Sequence, residues 1–172
     1  MILHDAEIIR LCEQQGMVTP FDRRLVNAAS IDVRLGCTLL IESAESPELI
    51  PYPLHKHSRE NPYEFVPGQF GLAPTIEEFS LPDDVAAQFV LKSSLARAGL
   101  QHLLAGWCDP GWNGSVLTME LHNSRQLWPV KLWPGMRIGQ MVFKRMLARP
   151  ILSYAVTGRY NGDTTVQQSK GV

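Results

Sequence analysis

Apolar residues recur with two different periods along this chain. Near the start, Ile8, Ile9, Leu11 and Cys12 share one side of a 3.6-residue repeat, and Gly16 follows as a stop. The spacing predicts a helix from Asp5, a candidate N-cap, to about Gln15. Beyond it the rhythm shortens. Apolar or alternating runs at 30–35, 37–41, 69–73, 87–91, 115–122, 130–132 and 137–147 are separated by turn formers among 12 Pro and 13 Gly. This predicts a mainly β sandwich or barrel with one N-terminal helix. In the clearest strand, Leu117, Met119 and Leu121 point one way, while Val116, Thr118, Glu120 and His122 point the other. The stretch 42–66, ESAESPELIPYPLHKHSRENPYEFV, is polar and Pro-rich and reads as a long loop or lobe inside the domain. His55 and His57 within it have no third or fourth metal ligand nearby in sequence.

Composition narrows the class. The chain has 172 residues, 45% hydrophobic and 19% charged, which suits one globular domain with a real core. Sixteen basic against seventeen acidic side chains give a net charge of -1. Nucleic acid and membrane surfaces would find no basic field here, whereas a small anion needs only a local cluster. MILHDAEIIR lacks a basic region followed by an apolar run, so no signal peptide is expected, and no apolar stretch approaches membrane-spanning length. Cys12, Cys37 and Cys108 are odd in number and scattered, as expected of reduced thiols in a cytoplasmic protein.

Candidate chemistry concentrates in residues 92–123. Lys92, Ser93 and Ser94 open a short helical turn, with Arg97 on the same face as Ser93. Hydroxyls, free N–H groups and a cation there suit an anion, and equally suit an ordinary helix cap with a solvated arginine. A Gly- and Pro-punctuated hairpin, AGWCDPGWNG, follows at 105–114, and then the strand carrying Glu120. A lone Glu on such a face is most often just wet.

In this order and spacing, KSSLARAGL, AGWCDPGWNG and LTMELHN resemble the dCTP deaminase family and its bifunctional dCTP deaminase–dUTPase relatives. The opening helix, ASIDVRLG at 29–36, Pro67-Gly68-Gln69, LWPGMRIGQ at 132–140 and GRYNG at 158–162 extend the likeness over nearly the whole chain. The resemblance implies a single dUTPase-like domain, 1–172, with a distorted β-barrel or jelly-roll fold. It also implies a homotrimer with active sites between subunits.

Roles follow from the resemblance residue by residue. Glu120 would shuttle protons, Ser93 and the Ala105 carbonyl would hold the attacking water, and Arg97 would fix and polarise the site. Asp109 would accept the deoxyribose 3′-OH, and Trp112 would pack where a 2′-OH would clash. Lys92, Ser93, Ser94, Gln140, Arg159 and Tyr160 would meet the phosphates, with the tail, about 155–172, as a mobile closing flap. Mg²⁺ would arrive with the triphosphate, held mainly by phosphate oxygens. No zinc is expected, because no His is followed by x-Glu and there is no Cys-x-x-Cys. A GxxxxGK loop and a GxSxG elbow are absent too.

The chain departs from the family pattern at two places. Residues 100–105 are one residue short, and Leu104 stands where the family has Thr, in the stretch tied to the water site and to inhibition by dTTP. Asp163 stands where a phosphate-contacting Gln is usual. The main expectation is deamination of dCTP to dUTP and ammonia. A bifunctional enzyme continuing to dUMP and pyrophosphate is the alternative, suggested by the AGWCDPG hairpin, Lys92 and Gln140. Glu120 argues against a plain dUTPase, and the Ser93, Arg97 and Glu120 set argues against a non-catalytic nucleotide-binding regulator.

Overall fold

The computed structural model describes residues 1–171. Helix α1 (Asp5–Gln15) is followed by β1 (Val18–Thr19), β2 (Val26–Asn27), β3 (Ser30–Arg34), β4 (Thr38–Ser43), β5 (Ser46–Pro53), β6 (Tyr63–Phe65) and β7 (Phe70–Phe79). Then come β8 (Val85–Leu91), α2 (Ser93–Arg97), β9 (Leu100–Gln101), β10 (Trp107–Cys108), β11 (Ser115–Asn123), β12 (Val130–Leu132), β13 (Arg137–Arg145) and α3 (Tyr154–Thr157).

Two large antiparallel sheets and a two-stranded one, β12-β6, make a mainly β fold with an N-terminal helix. One runs β5-β4-β7-β11-β9 with β1 on β7, and the other runs β10-β8-β13-β3-β2. Their residues share one core, including Phe79, Leu100, Met119, Ile138 and Phe143, which Phe65 of β6 joins. Between them, Leu35 bridges to Thr75, and Gly36 N–H donates to the Pro74 carbonyl at 2.8 Å. A Cβ on Gly36 would sit 2.9 Å from that carbonyl oxygen, so the crossing needs glycine. Beside it the fully buried Glu77 carboxylate accepts from Arg34 N–H at 2.8 Å and Arg34 Nε at 2.7 Å.

Local chemistry explains the elements and two departures from expectation. Ile8, Leu11 and Cys12 bury one face of α1, and Gly16, at φ 65°, ends it by donating to the Cys12 carbonyl at 3.1 Å. The N-cap is His4, not Asp5. Asp5 is the first helical residue and accepts the Ala6 N–H at 2.7 Å, where a carboxylate also suits the helix dipole.

The second correction concerns 42–66, which is not a continuous loop. It contains all of β5 and all of β6; β5 pairs with β4 from Thr38↔Pro53 to Ser43↔Ser46, and β6 pairs with β12. Prolines 47, 51 and 53 hid the strand, yet β5 is a sheet edge, where a missing N–H costs no ladder bond. His57 faces the Tyr52 hydroxyl at 2.9 Å, with its ring stacked on that of Tyr52. Among the described residues no cluster of three His, Cys, Asp or Glu could hold a metal ion.

Candidate active site

Strand β11 builds one wall of a cavity of about 580 Å³. Its period-2 alternation buries Leu117, Met119 and Leu121 in the core and leaves Thr118, Glu120 and His122 half-buried on the opposite face. Thr118 and Glu120 line the cavity with Phe70 and Leu72 of β7, and Glu120 is the register partner of Leu72. Burial is the largest influence on the Glu120 carboxyl and pushes its pKa above the ordinary glutamate value.

The hairpin supplies the second wall. Ala105, Trp107, Cys108, Asp109 and Trp112 all line the cavity. β10 pairs with β8, and the Phe89 N–H donates to the Gly106 carbonyl at 2.8 Å. A Cβ on Gly106 would lie 2.9 Å from both Phe89 Cβ and its carbonyl oxygen, so only glycine lets the hairpin lie this close. Trp112 is buried, stacked on Phe79 at 5.6 Å between ring centroids, and donates its indole N–H to the Tyr160 carbonyl at 3.0 Å. The Cys108 thiol, buried within the hairpin, is pushed up to about 12, chiefly by burial.

The tail closes the cavity from the same chain. Besides Trp112, Ser115 Oγ donates to the Tyr160 carbonyl at 3.0 Å, and Val116 N–H donates to the Asp163 carbonyl at 2.9 Å. Gln167 N–H donates to Thr118 Oγ1 at 3.1 Å, and the Gln168 side chain both accepts from and donates to the Leu49 backbone. Lys170 Nζ lies 2.8 Å from Asp163 Oδ2 and 4.8 Å from the Tyr160 ring centroid. The charge expected to repel phosphate at Asp163 is therefore paired.

The expected site residues fall into two groups. Glu120, Ala105, Asp109, Trp112 and Tyr160 meet at the cavity; Lys92, Ser93, Ser94, Arg97, Gln140 and Arg159 do not line it. Lys92 Nζ is held 2.7 Å from the buried Asp32, which also accepts from Asn27 at 2.9 Å and has Arg137 at 3.5 Å. Gln140 Oε1 accepts from Ser30 Oγ at 2.9 Å on the neighbouring strand. Ser93, Ser94 and Arg97 are exposed on α2. Arg159 is exposed and donates to the Gly171 carbonyl.

Sequence reading missed Thr118, Phe70, Leu72, Trp107, Tyr154, Gln167 and Gln168 as cavity residues. Thr118 was findable, since it stands two residues before Glu120 on one strand face. The tail glutamines carry no period that could have placed them.

Fold and cavity together define a two-sheet β protein of the dUTPase-like architecture. Its backbone is similar to that of 2′-deoxycytidine 5′-triphosphate deaminase from Agrobacterium tumefaciens, with a TM-score of 0.67 at 22% identity over 84% of this chain and 48% of that one. It is also similar to dUTPase from Streptococcus mutans, with a TM-score of 0.51 at 18% identity over 76% and 92% of the two chains. The chain belongs to the dCTP deaminase-like family, whose model matches residues 2–146. Among its relatives, the "dCTP deaminase, dUMP-forming" of Acidothermus cellulolyticus is 38% identical, covering 94% of this chain and 91% of that protein. Those of Leifsonia xyli and Rhodococcus opacus are 40% and 37% identical, covering 94% and 99% of this chain and 86% and 96% of theirs.

Proposed function

We propose that this protein deaminates dCTP by hydrolysis and that Glu120 carries the proton transfers. The observation that carries the reading is one half-buried carboxylate, raised by desolvation, in a cavity shared with Asp109, Trp112 and Tyr160. Deamination needs a water activated for attack at cytosine C4, a proton delivered to N3, and a proton delivered to the departing amine. A carboxyl tuned toward neutral pH serves as base in the first step and acid in the others. The balance is dCTP plus water giving dUTP plus ammonia. Ala105 also lines the cavity, and its carbonyl would accept from the attacking water.

Relatives named for dUMP formation favour the bifunctional alternative over release of dUTP. A second water would then cleave between the α- and β-phosphates, giving dUMP and pyrophosphate. Mg²⁺ enters as the metal complex of the substrate, held by phosphate oxygens.

The cavity as formed by one chain has carboxylates and aromatic rings but none of the cations expected to meet the triphosphate. Ser93, Ser94 and Arg97 face outward, so a second copy of the chain is the source we propose for them, with the homotrimer as the assembly. Occupation of the same site by dTTP would make it an inhibitor. Three free cysteines and a nucleotide substrate fit a cytoplasmic enzyme, and among the described residues no helix is long and apolar enough to cross a membrane. Purified protein with Mg²⁺ and dCTP, followed for ammonia, dUTP and dUMP, tests the reading.

A further inference from the structure

We infer that Trp107 is a positioning residue that locks the Asp109 carboxylate for the sugar hydroxyl, an inference that rests on Asp109 reading the 3′-OH. The Trp107 indole Nε1–H donates to Asp109 Oδ1 at 2.8 Å. Among the described residues it is the only hydrogen-bond donor to that carboxylate. An exposed aspartate in a hairpin otherwise distributes over its staggered side-chain rotamers. With Oδ1 engaged, Oδ2 is left to accept from a ligand.

The indole is itself held in place. Trp107 is 54% exposed, so core packing does not fix its ring. Instead, Lys144 Nζ lies 4.8 Å from the ring centroid, and the same ammonium donates to Gln88 Oε1 at 2.6 Å. Gln88 is the register partner of both Trp107 and Val142, so the anchor is built on the β10-β8-β13 ladder. A bare apolar ring would fill the same space, but only the indole couples that rigid ladder to the carboxylate through a charge-assisted hydrogen bond. The proposed partner of Trp107 is Asp109, not a reacting atom. It acts by removing the disorder that Asp109 would otherwise lose on binding.

The test compares wild type, Trp107→Phe, Asp109→Ala and the double variant, using dCTP and 2′,3′-dideoxy-CTP. Trp107→Phe keeps the ring and removes the donor. We expect KM for dCTP to rise about 5- to 10-fold, the size of one charge-assisted hydrogen bond partly screened by solvent, with kcat little changed. Affinity for the dideoxy analogue should stay at the wild-type value, and the double variant should be no worse than Asp109→Ala alone. An equal loss for both nucleotides, or additive losses in the double variant, would overturn the positioning role while leaving the sugar reader intact. If Asp109→Ala itself weakens both nucleotides equally, the sugar reader fails and the Trp107 role fails with it.

Discussion

Trp112 and Tyr160 are joined by a single hydrogen bond, indole N–H to backbone carbonyl at 3.0 Å, which ties the hairpin to the C-terminal tail. The ring expected to exclude a 2′-hydroxyl also holds the closing segment. Trp112→Phe keeps the stack on Phe79 but removes the donor, so it should cost about 1 kcal/mol. Faster amide exchange over residues 159–168 would report a loosened tail. Trp112→Ala should cost about 3–5 kcal/mol through the cavity it leaves, and should let CTP compete with dCTP. Denaturant midpoints and competition kinetics check both variants.

Glu120→Gln should lower turnover by about 10²–10⁴-fold or more, because one group serves as both base and acid. Nucleotide binding should survive. The free enzyme needs the ionised carboxylate, so the acidic limb of the kcat/KM profile should inflect above about 4.3, the ordinary glutamate value. Stability runs the other way. With its pKa raised in the folded state, Glu120 contributes fully below the unfolded value, and that contribution is lost as pH rises through the raised one. At pH 8 the Gln variant should therefore melt no lower than wild type.

Glu77 makes the opposite case, a carboxylate that serves the fold. It is wholly buried and accepts two hydrogen bonds from Arg34 across the junction of the sheets. Glu77→Ala strands the guanidinium and should cost about 3–5 kcal/mol, measured as a shift in urea midpoint.

How far the sequence carried differs from element to element. Period 2 in 115–122 placed Glu120 on the polar face and Leu117, Met119 and Leu121 in the core, and the structure keeps that alternation. Edge pairing defeated the reading of 46–53, because prolines forbid a central strand but not an outer one. Glu77 was invisible, since nothing local marks a carboxylate that meets its cation 43 residues away. The site split for the same reason. The family resemblance put Arg97 in one site with Glu120, while the fold leaves α2 exposed and Arg97 outside the cavity that one chain forms.

That split gives a prediction about assembly. Arg97→Ala and Glu120→Gln should each be inactive alone. After mixing under conditions that exchange subunits, activity should return, because some sites then draw an intact Glu120 from one chain and an intact Arg97 from another. No recovery, in preparations shown by mass to have exchanged, would place both residues in one chain's site.

The central claim is tested most directly by incubating the purified protein with Mg²⁺ and dCTP and resolving ammonia, dUTP and dUMP over time. The account predicts one ammonia per dCTP consumed, with dUMP and pyrophosphate as the accumulating products, and loss of both in Glu120→Gln. Unchanged dCTP at stoichiometric enzyme, or turnover that persists undiminished in Glu120→Gln, would contradict it.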